Sequence, residues 1–324
     1  MTSTIDAPAE ADAALMRLGV RLKDAGYRFT TVTPATHERV NRRPGNARAR
    51  TVTDVLGWSR PFEPGALRDD LVELLGAAGA LRRADDGWHS LIRVSSYDDE
   101  LFVHSAFPPA EPDAVFFGPD THRTIDAAMA HLAHLAERAE PPARVADIGT
   151  GSGAVAITLA KRLPGAEVVA VDINPRALRY THINSAIAGT ANVRPVHSDL
   201  LDGVAGDFHL IVSNPPFMID PDGRAYRDGG GRHGHDLPLR ILDTAIERLA
   251  PGGSLVLLAG TGISAGHDPL LDAATERLAG TDLSWTYREI DPDVYGENLQ
   301  ESAYTHADRI AIVVLTAVRP GGNS

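Results

Sequence analysis

The sequence predicts an α/β fold built on a doubly wound, mostly parallel sheet, with a smaller mixed α/β region before it. Three observations lead to this prediction. From position 144 onward, short β-rich apolar runs alternate with helical segments. A glycine-rich loop directly follows the first of these runs and opens a helix. Two further strand-like runs near the end have no clear helix between them, so they should pair antiparallel at the edge of the sheet.

Each element of this region has its own signal. Strands are predicted at residues 144–148, 167–171, 193–197, 208–212 and 254–259, with the closing pair at 283–290 and 309–318. Helices are predicted at residues 154–163, 175–188 and 237–250. Asn174-Pro175 marks a helix start, because asparagine is a good N-cap and proline is favoured at the first helical position. On a helix before the first strand, His131, His134 and Glu137 should form a solvated face.

The N-terminal region, residues 1–112, is predicted to be a separate domain that ends in a proline-rich segment. Leucines at helical spacing predict helices at residues 11–25 and 64–80. Alternation over residues 88–107 predicts a β-hairpin that turns near Asp98-Asp99. Helices followed by a hairpin resemble a winged helix, which would indicate nucleic-acid binding. A packing module, a dimerisation module that gives a homodimer, and a substrate lid are the alternatives.

The amino-acid composition disfavours several kinds of partner and site for this protein. The 324 residues include 31 basic and 43 acidic ones, and a net charge of −12 disfavours a polyphosphate partner. With no cysteine, disulfides, thiolate metal sites and cysteine nucleophiles are excluded. An acidic opening argues against a secretory signal peptide, and no apolar run approaches the ~18 residues that cross a bilayer, so we expect a cytoplasmic protein without a membrane partner. One dense basic run is either a solvated loop or a contact for phosphate or carboxylate: Arg39, Arg42, Arg43, Arg48 and Arg50.

The strongest local signal is the sequence Asp-Ile-Gly-Thr-Gly-Ser-Gly at positions 147–153. Glycines let the backbone turn sharply and approach a ligand closely. Asp172 ends the next strand about 20 residues later, where an acid can accept both ribose hydroxyls of a nucleoside. A dinucleotide fingerprint would place its third glycine at Ala154, whereas this loop has Gly153 and carries Asp147 before its first glycine. The spacing resembles the S-adenosylmethionine (SAM) site of class I methyltransferases.

A second motif, Asn214-Pro215-Pro216-Phe217, follows the fourth predicted strand of the sheet. It should therefore lie at the carboxyl end of the sheet, where ligands bind in such folds. The motif resembles the signature of amino methyltransferases that act on planar nitrogen. In such a site, the asparagine side-chain oxygen and the first proline carbonyl each accept an N–H, and the aromatic ring stacks on the flat acceptor. The resemblance implies catalytic roles for Asn214, Pro215 and Phe217.

Together, the two motifs resemble those of the HemK-like protein glutamine methyltransferases and the wider small-domain methyltransferases, over about residues 116–318. The resemblance implies a class I methyltransferase (Rossmann-like) fold with a seven-stranded, mostly parallel sheet in residues 113–324, and SAM as cofactor. It also implies that Asp147 lies by the methionine amino group, that Asp199 accepts from the adenine amino group, and that the loop at 116–121 closes over the cofactor. The implied cofactor-binding residues are Asp147, Gly149, Thr150, Gly151, Gly153, Asp172, Ile173, Asp199, Leu200, Asn214 and Thr121. The implied substrate-binding residues are Asn214, Pro215, Phe217, Tyr226, Asp228 and His233.

Three features differ from the release-factor enzymes of that family. The N-terminal region carries a hairpin where theirs is all-helical, and the motif ends in Phe217 where theirs usually ends in tyrosine. Their downstream Glu-Pro and Gly-Gly-x-Gly-Leu stretch is replaced by a glycine-rich segment at residues 226–236. We expect this segment to be a lid beside the acceptor, with His233, His235 and Asp236 as possible proton acceptors and no bound metal.

The acceptor molecule stays open between several classes. The main interpretation is a small amino-acid-like molecule with an amide or guanidino nitrogen, such as arginine, because an acidic cluster after the motif would suit a cation: Asp220, Asp222, Asp228 and Asp236. The alternatives are a protein glutamine, as in a release factor, and an amino group of an rRNA or tRNA base. A non-enzymatic SAM-binding regulator with a winged-helix module is a further alternative.

Overall fold

The computed structural model describes residues 9–109, 111–136, 140–220, 223–224 and 226–321. Its main body is a seven-stranded sheet in which β11 runs antiparallel to both of its neighbours, with the order β10-β11-β9-β8-β5-β6-β7. These strands are β5 (Arg144–Ile148), β6 (Glu167–Asp172), β7 (Val193–His197), β8 (Phe208–Ser213), β9 (Leu249–Ile263), β10 (Ser284–Asp291) and β11 (Arg309–Val318). The predicted α/β class and the antiparallel closing pair are confirmed.

The central strands form because their residues are apolar and β-branched and are buried on both faces. β5 pairs in parallel with β6 on one side and with β8 on the other. The helices that accompany the sheet are α5 (Pro119–Ala136), α6 (Ala154–Arg162), α7 (Pro175–Ala188), α8 (Asp236–Arg248) and α9 (Pro269–Leu278). The Asn174 side chain accepts a hydrogen bond from the Arg176 backbone N–H at 2.9 Å, so the predicted N-cap of α7 is confirmed.

The largest difference from the predicted elements of the sheet is at β9. It was expected at residues 254–259 and extends over Leu249–Ile263, while α8 ends at Arg248, before the predicted end at position 250. Residues 254–263 pair antiparallel with the whole of β11, and this pairing continues over residues 258–263, past the last residue that pairs with β8. The strand therefore lengthens because of a distant pairing that local sequence does not encode.

The N-terminal region is built from small elements, and several of them differ from the predictions. Its helices are α1 (Ala9–Asp24), α2 (Pro34–Asn41), α3 (Val52–Leu56) and α4 (Asp69–Ala77), and its strands are β1 (Leu81–Ala84), β2 (Gly87–Ser90), β3 (Ile92–Tyr97) and β4 (Glu100–Ser105). The turn at Asp98-Asp99 is confirmed, since Tyr97 pairs with Glu100. Trp88 belongs to a separate hairpin of β1 and β2, and the predicted helix at 64–80 is shorter. The helices α2 and α3 were not predicted, because five to eight residues are too few to show a clear period.

The N-terminal region packs directly against one helix of the sheet body. Its apolar cluster includes Ala177, Tyr180, Ile183 and Ile187, all from α7. The only two lysines of the sequence, Lys23 and Lys161, both form ion pairs with Glu100, whose side chain is 12% exposed. One carboxylate of β4 thus joins α1 to α6.

One predicted surface feature is wrong in part. His131 was expected on a solvated face, but it is half-buried, and its Nε2 lies 2.7 Å from the Ser254 hydroxyl oxygen. His134 is exposed as expected, and Glu137 lies outside the described residues. In the part of the chain that the structure describes, no helix is long and apolar enough to cross a membrane.

Candidate active site

The glycine loop after β5 adopts a backbone that only glycine accommodates without strain. Gly149, Gly151 and Gly153 have φ values of +72°, +57° and +79°. At Gly153, a Cβ would lie 2.8 Å from Cγ2 of Thr181, so the loop packs closely on α7. At Gly149, a Cβ would meet no atom within 4 Å, so the loop leaves open space there.

Asp147 stabilises the glycine loop through hydrogen bonds. It is 1% exposed, and its carboxylate accepts hydrogen bonds from the Thr150 hydroxyl at 2.7 Å and the Ala156 N–H at 3.1 Å. Burial raises the pKa of Asp147 to about 7, against those two hydrogen bonds, which lower it. A cationic group brought next to this carboxyl would favour its charged form, which fits the implied position beside the methionine amino group.

Asp172 stands at the end of β6, on the other side of the loop. Its two carboxylate oxygens accept from the N–H groups of Gly151 and Asn174, each at 2.9 Å. Burial raises the pKa of Asp172. The next residue, Ile173, is 59% exposed, an unusual position for a large apolar side chain. An acid and an apolar surface therefore lie side by side.

The next two implied cofactor residues follow β7, and the second of them, Leu200, is half-buried. Asp199 is exposed and forms an ion pair with Arg240 at 2.9 Å. Leu200 has a φ of +48°, a backbone conformation that is uncommon for a residue with a branched side chain.

Thr121 lies in the first turn of α5, after the segment that passes the glycine loop. Its hydroxyl accepts from the Gly118 N–H at 3.3 Å, so in this structure it caps its own turn. The same segment contains Val115 and Phe116, which lie within 4 Å of the position that a Cβ of Gly151 would take. The segment and the glycine loop are thus brought together, as the resemblance implies.

The Asn-Pro-Pro-Phe segment follows β8, next to the end of β5. The Ser213 hydroxyl donates to the Ile148 carbonyl at 2.7 Å and so ties the two strand ends together. Asn214 is half-buried, and within the described ranges its side chain has no hydrogen-bond partner. Pro215 is buried. An amide that is fixed in place and free to accept a hydrogen bond is suited to hold an N–H of a ligand.

Phe217 is more enclosed than a simple stacking platform would be. It is 7% exposed, and its ring lies over Gly260 of β9, where a Cβ would come within 2.5 Å of the ring. The ring of Tyr295 is 6.4 Å away, centroid to centroid. Gly260 therefore provides the space that this side chain occupies.

The implied substrate residues downstream each contact other parts of the protein. The Tyr226 ring stacks on Phe116 with centroids 6.4 Å apart. The Asp228 carboxylate accepts from the Gly230 N–H at 3.2 Å. Asp220 of the acidic cluster is already paired with Arg224 through two contacts of 2.5 and 2.7 Å, and Asp222 lies outside the described residues. Among the described residues, Asp220 is therefore already paired with a cation of its own chain.

His233 belongs to a cluster with His235 and His306. The His233 ring is 6.0 Å from that of His235 and 5.9 Å from that of His306. His235 is 4% exposed, and burial lowers its pKa to about 4. Burial also lowers the pKa of His233, so both rings are neutral at pH 7. Over the described parts of the chain, no group of three or more His, Cys, Asp or Glu residues could hold a metal ion.

The sequence analysis did not identify the connection between β10 and β11. This connection contacts the residues that directly follow the Asn-Pro-Pro-Phe segment. The Tyr304 hydroxyl accepts from the Ile219 N–H at 2.8 Å, and the Tyr295 hydroxyl donates to Asp120. Asp120 is also paired with Arg123 at 2.9 Å, which links α5 to this connection. The length of the connection, residues 292–308, was the available signal, since long loops in compact domains are usually functional.

Comparison with known proteins identifies the sheet body. The family model described as methyltransferase small domain matches residues 115–276. Curated relatives are named release factor glutamine methyltransferase. The one from Deinococcus radiodurans is 38% identical over 189 residues, 55% of this chain and 62% of the relative. The one from Bradyrhizobium diazoefficiens is 35% identical over 169 residues, which are 48% of this chain and 56% of the relative.

These relatives set the extent of the likeness. The matched part of the chain spans about 62% of the relative from Deinococcus radiodurans, so the likeness covers only part of each protein. A solved methyltransferase from Pyrococcus furiosus is 20% identical over 59% of this chain and 82% of that one, with a TM-score of 0.40. At that distance the solved structure does not bear on function.

The cofactor of this family is SAM, and the residues present fit it. The open space at Gly149 leaves room for a ligand against the loop backbone. Asp172 offers carboxylate oxygens beside the exposed Ile173, which suits a ribose next to an adenine ring. The buried carboxyl of Asp147 suits an ammonium group.

Proposed function

Since the chain belongs to the methyltransferase small domain family, we propose that it transfers a methyl group from SAM to the side-chain amide nitrogen of a glutamine in a protein. The observation that carries this proposal is the position of Asn214, next to the glycine loop and with an unpartnered side chain. The names of the relatives support a glutamine acceptor. They give no support to a small amino-acid-like acceptor such as arginine, which was the main interpretation of the sequence.

The chemistry asked of the protein is mainly positioning. An amide nitrogen shares its lone pair with the carbonyl and is a poor nucleophile, so it must be held in line with the methyl group. When bound, SAM supplies an electrophilic methyl group on a positively charged sulfur. The Asn214 side-chain oxygen and the Pro215 carbonyl would each accept one N–H of the glutamine amide and so fix the plane of that group.

The nitrogen loses one proton as it gains the methyl group. A neutral base is suited to receive that proton, and His233 is neutral because burial lowers its pKa. The buried His235, stacked 6.0 Å away, would hold the ring of His233 in place.

Two features of the chain argue against the other acceptor classes. The pairing of Asp220 with Arg224 removes one carboxylate from the site that a guanidinium would need. In the basic run, Arg42 and Arg48 form ion pairs with Glu38 and Glu63, which reduces the charge available for an RNA backbone.

The test uses SAM with a labelled methyl group, the full chain, a purified release factor, and in parallel an extract of small molecules and RNA. We expect label in the release factor, in protease-sensitive material, with mass spectrometry locating the methyl group on a glutamine side-chain amide. The matched control is a release factor in which that glutamine is replaced by asparagine, and it should stay unlabelled. Label confined to small molecules, or to ribonuclease-sensitive material, would overturn the proposal.

A further inference from the structure

The strand β4 of the N-terminal region lies against the segment at residues 116–121, the covering segment, which the resemblance places over the cofactor. Phe102 and His104 are two positions apart in β4, so they point to the same face of the strand. Both rings stack on the ring of Phe117, with centroids 5.7 and 5.4 Å apart. The residues of β4 are all buried, and they precede residue 115, where the match to the family model begins. A strand outside the matched region thus supports the covering segment.

One side chain joins β4 to the glycine loop. Asn184 of α7 is 0% exposed, and its Oδ1 accepts from the Val103 N–H at 2.8 Å. Its Nδ2 donates to the carbonyls of Val103 and Ser152 at 2.9 and 2.8 Å. Because a buried backbone group that loses its hydrogen-bond partner is unfavourable, these bonds hold β4 and Ser152 at a fixed separation.

The backbone around Ser152 is connected to a residue of the proposed ribose site. The neighbouring Gly151 donates its N–H to the Asp172 carboxylate at 2.9 Å, and its carbonyl accepts from the Thr181 hydroxyl at 3.2 Å. Asp172 is the acid that suits the ribose of SAM. A shift of the Ser152 carbonyl would therefore also move the backbone that orients the Asp172 carboxylate.

A second link joins β4 to the chain just before the covering segment. The Val115 N–H donates to the Ser105 hydroxyl oxygen at 2.9 Å, and the Ser105 N–H donates to the Val115 carbonyl at 3.0 Å. The Val115 Cγ1 atom lies 3.8 Å from the position that a Cβ of Gly151 would take. Through its two links, β4 therefore contacts both the glycine loop and the chain that passes beside it.

We propose that β4 is part of the cofactor site, with Asn184 and Ser105 as positioning residues that hold the glycine loop and the covering segment in place. Neither residue needs to touch SAM. A loop that is ordered by internal hydrogen bonds loses less conformational freedom when a ligand binds, so its affinity is higher. The N-terminal region thus sets the affinity for SAM, whichever acceptor is methylated.

The experiment measures the dissociation constant of SAM for the full chain by calorimetry. No acceptor is added, so the result does not depend on the glutamine acceptor proposed above. The variants are Asn184→Ala and Ser105→Ala, and each has a matched control. Asn192→Ala removes a side chain whose Nδ2 donates to backbone carbonyls at the end of α6 and just after it. Ser90→Ala removes a buried hydroxyl that pairs with the backbone two residues later.

We expect SAM to bind Asn184→Ala about 10-fold more weakly than the wild type and Ser105→Ala about 3-fold more weakly, as for the loss of one hydrogen bond that orders the site. Both controls should stay within about twofold, because the bonds that they remove involve neither the glycine loop nor the covering segment. Urea unfolding of all four variants measures the loss of stability, which a purely structural role would change without changing the affinity for SAM.

Weaker SAM binding in Asn184→Ala, with unchanged binding in both controls, supports the proposal. Binding within twofold of the wild type in Asn184→Ala, or an equal loss of affinity in the controls, overturns it. Should Asn184→Ala fail to fold, Ser105→Ala decides by the same comparison, because its smaller change keeps the Asn184 hydrogen bonds.

Discussion

The two halves of the site differ in how their polar groups are satisfied. On the cofactor side, the carboxylates of Asp147 and Asp172 already accept hydrogen bonds from the loop that they hold. On the acceptor side, the Asn214 amide and the His235 Nε2 have no partner among the described residues. The polar groups of the first half are thus already paired within the protein, whereas the half-buried Asn214 side chain of the second half is free to pair with a ligand.

This difference indicates that the cofactor side of the site is preorganised and that the acceptor side discriminates between ligands. Internal hydrogen bonds hold the glycine loop in one conformation, and such preorganisation favours tight binding. Unpaired acceptors discriminate between ligands, because a ligand without matching donors leaves them buried and unsatisfied. Substitutions on the two sides should therefore have different consequences.

The largest effect is expected for Asn214→Ala on the acceptor side. Removing one positioning hydrogen bond should lower kcat about 10²–10³-fold, by analogy with removal of one transition-state hydrogen bond. SAM binding, measured by calorimetry, should change less than threefold if Asn214 mainly holds the acceptor. Asn46→Ala, far from the site, is the control and should keep full activity. Unchanged turnover in Asn214→Ala would contradict the prediction that the acceptor side positions its ligand through the Asn214 side chain.

A smaller effect, on folding, is expected for glycine substitutions on the cofactor side. Gly153→Ala combines a left-handed backbone with a contact of 2.8 Å to Thr181, so the free energy of unfolding should fall by about 2–4 kcal/mol. Gly149→Ala has the same backbone strain but open space, so it should cost about 1–2 kcal/mol and mainly weaken SAM binding.

Urea unfolding of both variants and calorimetry with SAM separate these effects. Gly165→Ala has neither a left-handed backbone nor a close contact and should change stability by less than about 0.5 kcal/mol. Equal stability of the Gly149 and Gly153 variants would mean that close packing on α7 is not what fixes the loop.

A further effect is expected in the pH dependence of stability. Burial raises the pKa of Asp147 from 3.8 to about 7, so the folded protein keeps this proton where the unfolded chain has lost it. The stability that the protonated carboxyl contributes is complete below pH 3.8 and is lost as the pH rises to about 7. Between pH 5 and pH 8, Asp147→Asn should therefore lose less free energy of unfolding than the wild type does.

The control for this measurement is Asp199→Asn, which changes an exposed acid on the same side of the site. Its stability should follow the pH dependence of the wild type. If Asp147→Asn also follows the wild type, the buried carboxyl is not the group that titrates.

Much of the sheet body could be predicted because its signals are local. The strands of the central sheet are continuous apolar runs, and α7 is bounded by Asn174 at its start and by Gly189, with a φ of +71°, at its end. The glycine loop and the Asn-Pro-Pro-Phe segment were recognisable because a left-handed turn and a positioned amide need particular residue types. The expectation that the segment at 116–121 lies against the loop followed from the resemblance and not from spacing.

The sequence alone determined the fold class, the strand positions in the sheet and the two motifs, because these depend on residues that are neighbours along the chain. Only the tertiary structure decided that β9 extends to Ile263 and that Gly260 accommodates Phe217. These features depend on pairings between distant segments. Which residues pack against a given side chain is decided by these pairings, and the local sequence does not encode them.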